Sequence, residues 1–244
     1  MYEPRTYRHW VKAKDLIPFN VVVKETDLYI RASTNLKGKA YKLILKYRDS
    51  LERYIERHPA FLTSLKPLPN DENAPHIVKE MSQAAGKAGV GPMASVAGAI
   101  AEFVGKELLA FTPEIIVENG GDIYLESQTK RIIGIYAGES PLSGKIGLEI
   151  EGQDTPLGVC TSSGTVGHSL SYGKADAVVA VAKSAALADA VATATGNLIK
   201  QPGDISTGIE FAQGIDGLTG VIIIQGNDMG LWGKVKVCPL SAAK

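Results

Sequence analysis

Cysteine is scarce in this chain of 244 residues: only Cys160 and Cys238 occur, far apart. That excludes a disulfide-stapled scaffold, and neither residue belongs to a CxxC or Cys/His cluster that would hold zinc. Both lie in apolar, strand-like runs, which suits buried free thiols. Net charge is missing too, because 26 Lys plus Arg balance 26 Asp plus Glu. No bulk attraction toward nucleic acid or an anionic membrane follows from that balance. Long apolar runs are absent: each extended window carries glycine or charge and falls short of a membrane span. Residues 1–9 lack the apolar centre of a secretory signal. These absences lead us to expect a cytoplasmic protein without nucleic-acid or membrane partners. The length suffices for a large core, as one large domain or two small ones.

The most informative stretch that is present is residues 184–197, Ser-Ala-Ala-Leu-Ala-Asp-Ala-Val-Ala-Thr-Ala-Thr-Gly-Asn. A helix apolar on all sides is a buried helix. A lone carboxylate inside it, Asp189, is unfavourable unless paired or bound to a metal. Thr193 and Asn197 follow at i+4 and i+8, which places three oxygen-bearing side chains on roughly one face. Such hard donors suit Mg²⁺ or a hydrogen-bonded ligand. The alternative is a structural carboxylate held by backbone N–H groups or a lysine.

Apolar periodicity assigns the other elements. Residues 19–32 read as two strands around a turn at Glu25–Asp27, and 36–57 as an amphipathic helix ended by His58-Pro59. Residues 66–75 read as a loop, 76–87 as a short helix, and 90–105 as a helix rich in Ala and Gly with Pro92 in its first turn. Those small residues allow either close packing or a backbone laid against a ligand. Residues 115–126 read as a hairpin, with Asn119-Gly120 as the turn signal. Strands are expected at 131–137, 145–150, 157–162, 176–182, 221–225 and 233–238, and 202–214 could form a short helix. Strands in series with a few helices indicate an α+β fold with antiparallel sheets.

Two polar segments carry candidate chemistry. In Glu118-Asn-Gly-Gly-Asp122, Gly120 and Gly121 would let the backbone approach a ligand while Asp122 accepts hydrogen bonds from it; the plainer reading is a turn with Asp122 in water. In Thr161-Ser-Ser-Gly-Thr-Val-Gly-His168, the hydroxyls of Thr161, Ser162 and Ser163 and nearby N–H groups could cradle phosphate. His168 could act as a general base or phosphate contact, or be an ordinary surface histidine. Neither a P-loop nor a GxSxG elbow is present.

Three motifs recur together, in order, in one known family: Gly120-Gly121-Asp122, Thr161-Ser-Ser-Gly164 and Ala188-Asp-Ala-Val-Ala-Thr193. The chain resembles the ApbE-type FAD:protein FMN transferases over roughly residues 85–200. Glu25-Thr-Asp-Leu28 and Gly91-Pro-Met-Ala94 resemble an uncharacterised bacterial and archaeal branch of that superfamily. The resemblance implies one ApbE-like domain over 1–244, with the hairpin and helix of 1–70 packed on its core. It implies a Mg²⁺ site at Asp189 and Thr193, aided by a backbone carbonyl near Val96 or Ala97. It further implies flavin or nucleotide contacts from Gly120, Gly121 and Asp122, with FAD as cofactor or substrate. It leaves a homodimer open. The chain departs from the transferase pattern after His168, where Asp-Pro and Thr-Gly are lacking, and at Ala97, where the transferases carry lysine. Two alternatives therefore stand beside the transferase: a non-catalytic binding protein that keeps the scaffold, and an enzyme acting on another small molecule.

Overall fold

A computed structural model describes residues 8, 10, 13, 15–165 and 172–240. Its centre is an eight-stranded sheet, every neighbouring pair antiparallel, in the order β1-β2-β3-β4-β7-β8-β9-β10. The strands are β1 (Ile17–Val23), β2 (Thr26–Ala32), β3 (Ile115–Asn119), β4 (Asp122–Glu126), β7 (Leu157–Ser162), β8 (Ala177–Ala182), β9 (Leu218–Gln225) and β10 (Asp228–Gly233). A second sheet, ordered β11-β6-β5, is formed by β5 (Arg131–Gly134), β6 (Ile146–Ile150) and β11 (Lys236–Pro239). The helices are α1 (Lys37–Arg57), the single turn α2 (Ala60–Thr63), α3 (His76–Ala88), α4 (Val96–Leu108), α5 (Ala185–Leu198) and α6 (Ile205–Gln213).

Strand alternation explains the layering, since successive side chains point to opposite faces. In β8, Val178, Ala180 and Ala182 join the core under the helices, while Ala177, Val179 and Val181 join a second core against the small sheet. All six β8 residues are buried, as expected for a central strand covered on both faces. The fold is α+β with antiparallel sheets and packed helices, as the periodicity suggested. The β1–β2 hairpin is an edge of the large sheet, joined through β2 to β3.

Several boundaries differ from the sequence reading. The turn between β1 and β2 falls at Lys24-Glu25, with Lys24 at φ 52°. The small-residue helix opens as a 3₁₀ turn, Pro92–Ser95, and becomes α-helical only at Val96. The strand expected at 233–238 is two strands of different sheets: β10 ends at Gly233 (φ 86°), and β11 begins at Lys236. Glycines 226, 230 and 233 masked the β9–β10 hairpin from a propensity reading. Cys160 is buried but Cys238 only half-buried, and both are free. No single helix among the described residues is long and apolar enough to cross a membrane.

Helices α4 and α5 pack closely, and hydrogen bonds to one carboxylate from each helix lock them. The Gly98 N–H of α4 donates to Asp189 Oδ2 of α5 at 2.9 Å. In return Glu102 of α4 accepts at Oε2 from the Ala185 and Ala186 N–H groups, at 2.6 and 3.3 Å, and from Ser184 Oγ at 3.1 Å. A carboxylate from another helix thus accepts the first two free N–H groups of α5, while the N-cap Ser184 Oγ accepts the Leu187 N–H. Lys106 Nζ, 2.6 Å from Oε1, balances its charge. Glu102→Ala should lower stability by about 2–4 kcal/mol, through orphaned N–H groups and a lost cap. Glu102→Gln, which keeps an acceptor, should lose less than half of that. Chemical denaturation of both variants checks this, and equal losses would refute the capping role.

Candidate functional site

The site forms where the β3–β4 turn, the end of β7 and the starts of α4 and α5 converge. The turn residues are Gly120 and Gly121, with φ 67° and 108°, and Asn119 pairs directly with Asp122. Positive φ at two successive residues defines the hairpin geometry that glycine adopts readily. The turn is therefore centred one residue later than the Asn119-Gly120 signal indicated. The pairing sorts the side chains by face, because successive strand residues point to opposite sides. Asn119 and Asp122 both project to the helix side, while Glu118, paired with Ile123, projects to the opposite side. Asp122 is only 7 % exposed, so it is not an ordinary turn residue in water.

Several polar groups here are tied to named partners. Asn119 Nδ2 donates to the Ala97 carbonyl at 3.1 Å. Thr161 N–H donates to Asp122 Oδ1 at 3.2 Å. The peptide between Ala97 and Gly98 therefore links the hairpin, through its C=O, to Asp189, through its N–H. Cys160, also on the helix side, donates from Sγ to the Ala185 carbonyl at 3.3 Å. Ser162 faces the Gly196 turn of α5. Thr161 points to the other side of the sheet, paired with Val179, so it offers its backbone rather than its hydroxyl. Ser163 Oγ caps its own turn by accepting from Thr165 N–H at 3.1 Å. Thr193 lies half-buried one turn beyond Asp189. Asn197 is drawn away, its Oδ1 accepting from Tyr172 N–H at 2.9 Å. His168 lies outside the described residues.

Two carboxylates thus share one partly dehydrated space. Burial pushes the Asp189 carboxyl up to about 7, against the pull of the Gly98 and Ala97 N–H groups. Asp122 is raised well above the usual carboxylate range, chiefly by burial and next by the negative charge of Asp189. Burial likewise raises the Cys160 thiol, and the two carboxylates add to it, which makes it a poor nucleophile. Among the described residues no group of three or more His, Cys, Asp and Glu forms a metal cluster. A cation here would meet two carboxylates and neutral oxygens. That donor set fits Mg²⁺, which is commonly held by one or two carboxylates plus waters and substrate phosphates. The sequence reading missed Glu102, Asn119 and Cys160 as members of this assembly. Glu102 carried the same signal as Asp189, a lone carboxylate in an apolar helix.

The fold is that of the ApbE flavin transferases. The apo flavinyl transferase ApbE of Pseudomonas stutzeri superposes with a TM-score of 0.60 at 14% identity, over 89% of this chain and 94% of that one. The flavin transferase ApbE of Vibrio cholerae gives 0.59 at 13%, over 89% and 96%. At the level of sequence, the chain belongs to the family described as AbpE bacteria, which matches residues 8–215. Its relatives include UPF0280 proteins of Methanopyrus kandleri, 45% identical over 223 residues (88% of this chain, 89% of that protein), and of Methanocaldococcus jannaschii, 44% identical over 223 residues (88% and 90%).

Proposed function

We propose that the chain binds a flavin or related nucleotide diphosphate through a divalent cation, Mg²⁺ by the chemistry of the donors. Asp189 and Thr193 hold the cation, and Asp122, Gly120 and Gly121 position the nucleotide against the hairpin. The observation that carries this reading is the pair of carboxylates in one space, buried Asp122 and half-buried Asp189, each raised by burial and the first raised further by the charge of the second. Mutual repulsion of that kind is relieved by a cation. Mg²⁺, when bound, supplies charge neutralisation for pyrophosphate oxygens. The chain's own groups orient the ligand: Ser162 and the N–H groups near the end of β7 face phosphate, and His168 is the candidate acid/base.

The transferase reaction, FAD giving a protein-bound FMN and AMP, is the enzymatic form of this reading. The missing Asp-Pro and Thr-Gly after His168 favour binding without transfer. We carry forward with it one ApbE-like domain over 1–244 and a cytoplasmic location. The experiment is incubation with FAD, Mg²⁺ and a peptide bearing an acceptor Thr or Ser, followed by mass spectrometry. The expected result is nucleotide binding with little or no AMP release. Robust AMP release would establish the transferase instead, and His168→Ala should then slow it by about 10²–10⁴-fold. Failure to bind any nucleotide, with or without Mg²⁺, removes both readings.

A further inference from the structure

We propose that Arg8 is a positioning residue for this site, acting through Glu118 on the Gly120-Gly121 turn that carries Asp122. The proposal rests on the ligand reading above and adds a part that the site motifs do not contain. Glu118 lies on the face of the sheet opposite the ligand groups and is only 5 % exposed. One of its carboxylate oxygens, Oε1, accepts the Gly121 N–H at 2.9 Å. The other, Oε2, lies 2.7 Å from Arg8 Nε. A single carboxylate thus ties Arg8 to the turn.

A two-glycine turn needs such a hold. Glycine has the widest backbone freedom, so successive glycines with positive φ are weakly self-ordering. The Gly121 N–H is the amide immediately before Asp122, and fixing it fixes where β4 begins. Arg8 is a firm anchor because it is held on several sides. Its Nη2 donates to the Asp27 carbonyl at 2.9 Å, and its Nη1 lies 3.3 Å from both Asp27 carboxylate oxygens. Arg31 Nη2 donates to the Arg8 carbonyl at 3.1 Å, and both guanidinium groups lie over the Tyr29 ring. Tyr29 is the residue paired with Glu118 across β2 and β3.

Charge gives Arg8 a second effect. Glu118 is a third carboxylate whose negative charge reaches Asp122, after burial and Asp189. Arg8 neutralises it. Without Arg8 the buried Glu118 carboxylate behind the turn loses the cation 2.7 Å from its Oε2, and a buried charge that loses a close opposite charge perturbs its surroundings strongly. A merely structural Arg8 predicts that loss of the second partner adds to the damage. A positioning Arg8 predicts that removing the Glu118 charge as well repairs the site.

The test uses the full chain with Arg8→Gln, Glu118→Gln and the double variant. Three quantities are measured: Mn²⁺ affinity by calorimetry, Gly121 amide exchange by NMR, and the melting temperature. Arg8→Gln should weaken Mn²⁺ binding by about 10–100-fold, the usual effect of a group that orients a ligand shell, and should accelerate Gly121 exchange at least as much. The double variant should recover most of the lost affinity, because the Glu118→Gln side chain keeps an acceptor for the Gly121 N–H. If Arg8→Gln changes neither quantity, or if the double variant binds more weakly than either single one, the proposal is wrong. Should Arg8→Gln fail to fold, Arg8→Lys keeps the charge and loses the planar fork; its Gly121 exchange must still accelerate. If the unaltered chain binds no Mn²⁺, the ligand reading fails by itself. Gly121 exchange then decides the positioning claim: acceleration upholds it, and no change overturns it.

Discussion

Asp189→Asn should reduce divalent-cation affinity by about 10²-fold or more, at least the loss seen when an outer-shell group is removed. It should also flatten the pH dependence of stability in the ion-free protein. The two effects have one origin. Asp189 titrates near 7 in the folded chain, from an ordinary value of 3.8, with burial as the main cause. A raised folded-state pKa means that the folded protein binds the proton more tightly than the unfolded chain does. The stability this contributes is complete below about pH 4 and is lost as pH rises through about 7. Asp122, raised in the same direction, adds a slope of the same sign. The ion-free protein should therefore melt roughly 5–10 °C lower at pH 8 than at pH 5, given about 2–4 °C per kcal/mol at this size. Millimolar Mg²⁺ should reverse that loss at pH 8, because a ligand that binds only the folded state stabilises it. Asparagine resembles the protonated carboxyl, so the variant should melt higher than the original at pH 8 without ions and should ignore Mg²⁺. Calorimetry and melting curves across pH 5–8 check both parts. A pH-independent ion-free protein, or Mg²⁺ stabilisation of the variant, would show that Asp189 is a structural carboxylate.

How much of this was legible before the structure depends on which physical signal each residue carries. Asp189 was legible because an apolar helix makes one carboxylate conspicuous. The hairpin was legible because two adjacent glycines between β-rich runs have few other uses. Its centre was not, since Asn119-Gly120 and Gly120-Gly121 are both good turn pairs. Only the pairing of Asn119 with Asp122 chooses between them, and that pairing depends on β2 and β7 alongside. The division of labour in Thr161, Ser162 and Ser163 was hidden for the same reason. All three have hydroxyls, but strand alternation turns Ser162 to the helices and Thr161 away from them. Asn197 fitted the helical spacing and still left the group, because a loop N–H 25 residues away in sequence took its side chain. Contacts at long sequence separation, such as Glu102 with Ala185 and Arg8 with Glu118, have no local signature at all. They are consequences of the sheet order, which periodicity does not encode.

Gly98→Ala should be among the most damaging single-methyl changes available in this chain. A Cβ at position 98 would stand 2.3 Å from the Ala185 carbonyl oxygen and 2.9 Å from Asp189 Cβ. The obstacle is helix backbone, which cannot rotate aside as a side chain can. Helices α4 and α5 must move apart, yet both are seated on the same sheet, α4 against β3 and β4 and α5 against β7 and β8. Separation stretches the Gly98–Asp189 hydrogen bond and the Glu102 cap together. Overpacking of this kind costs about 1–3 kcal/mol, and each buried hydrogen bond left unmade adds about 1–3 kcal/mol. The sum, about 3–9 kcal/mol, corresponds to a fall of roughly 6 °C or more in melting temperature. Divalent-ion affinity should fall with it, because Asp189 loses the N–H that orients its carboxylate. Gly86→Ala is the matched control. Gly86 lies in α3, where a Cβ would meet nothing within 4 Å, so alanine there should raise stability by about 0.5–1 kcal/mol through helix propensity. Melting curves of the two variants side by side decide the matter. If Gly98→Ala melts within a degree or two of the original chain, the close α4–α5 contact is not what holds Asp189 in place.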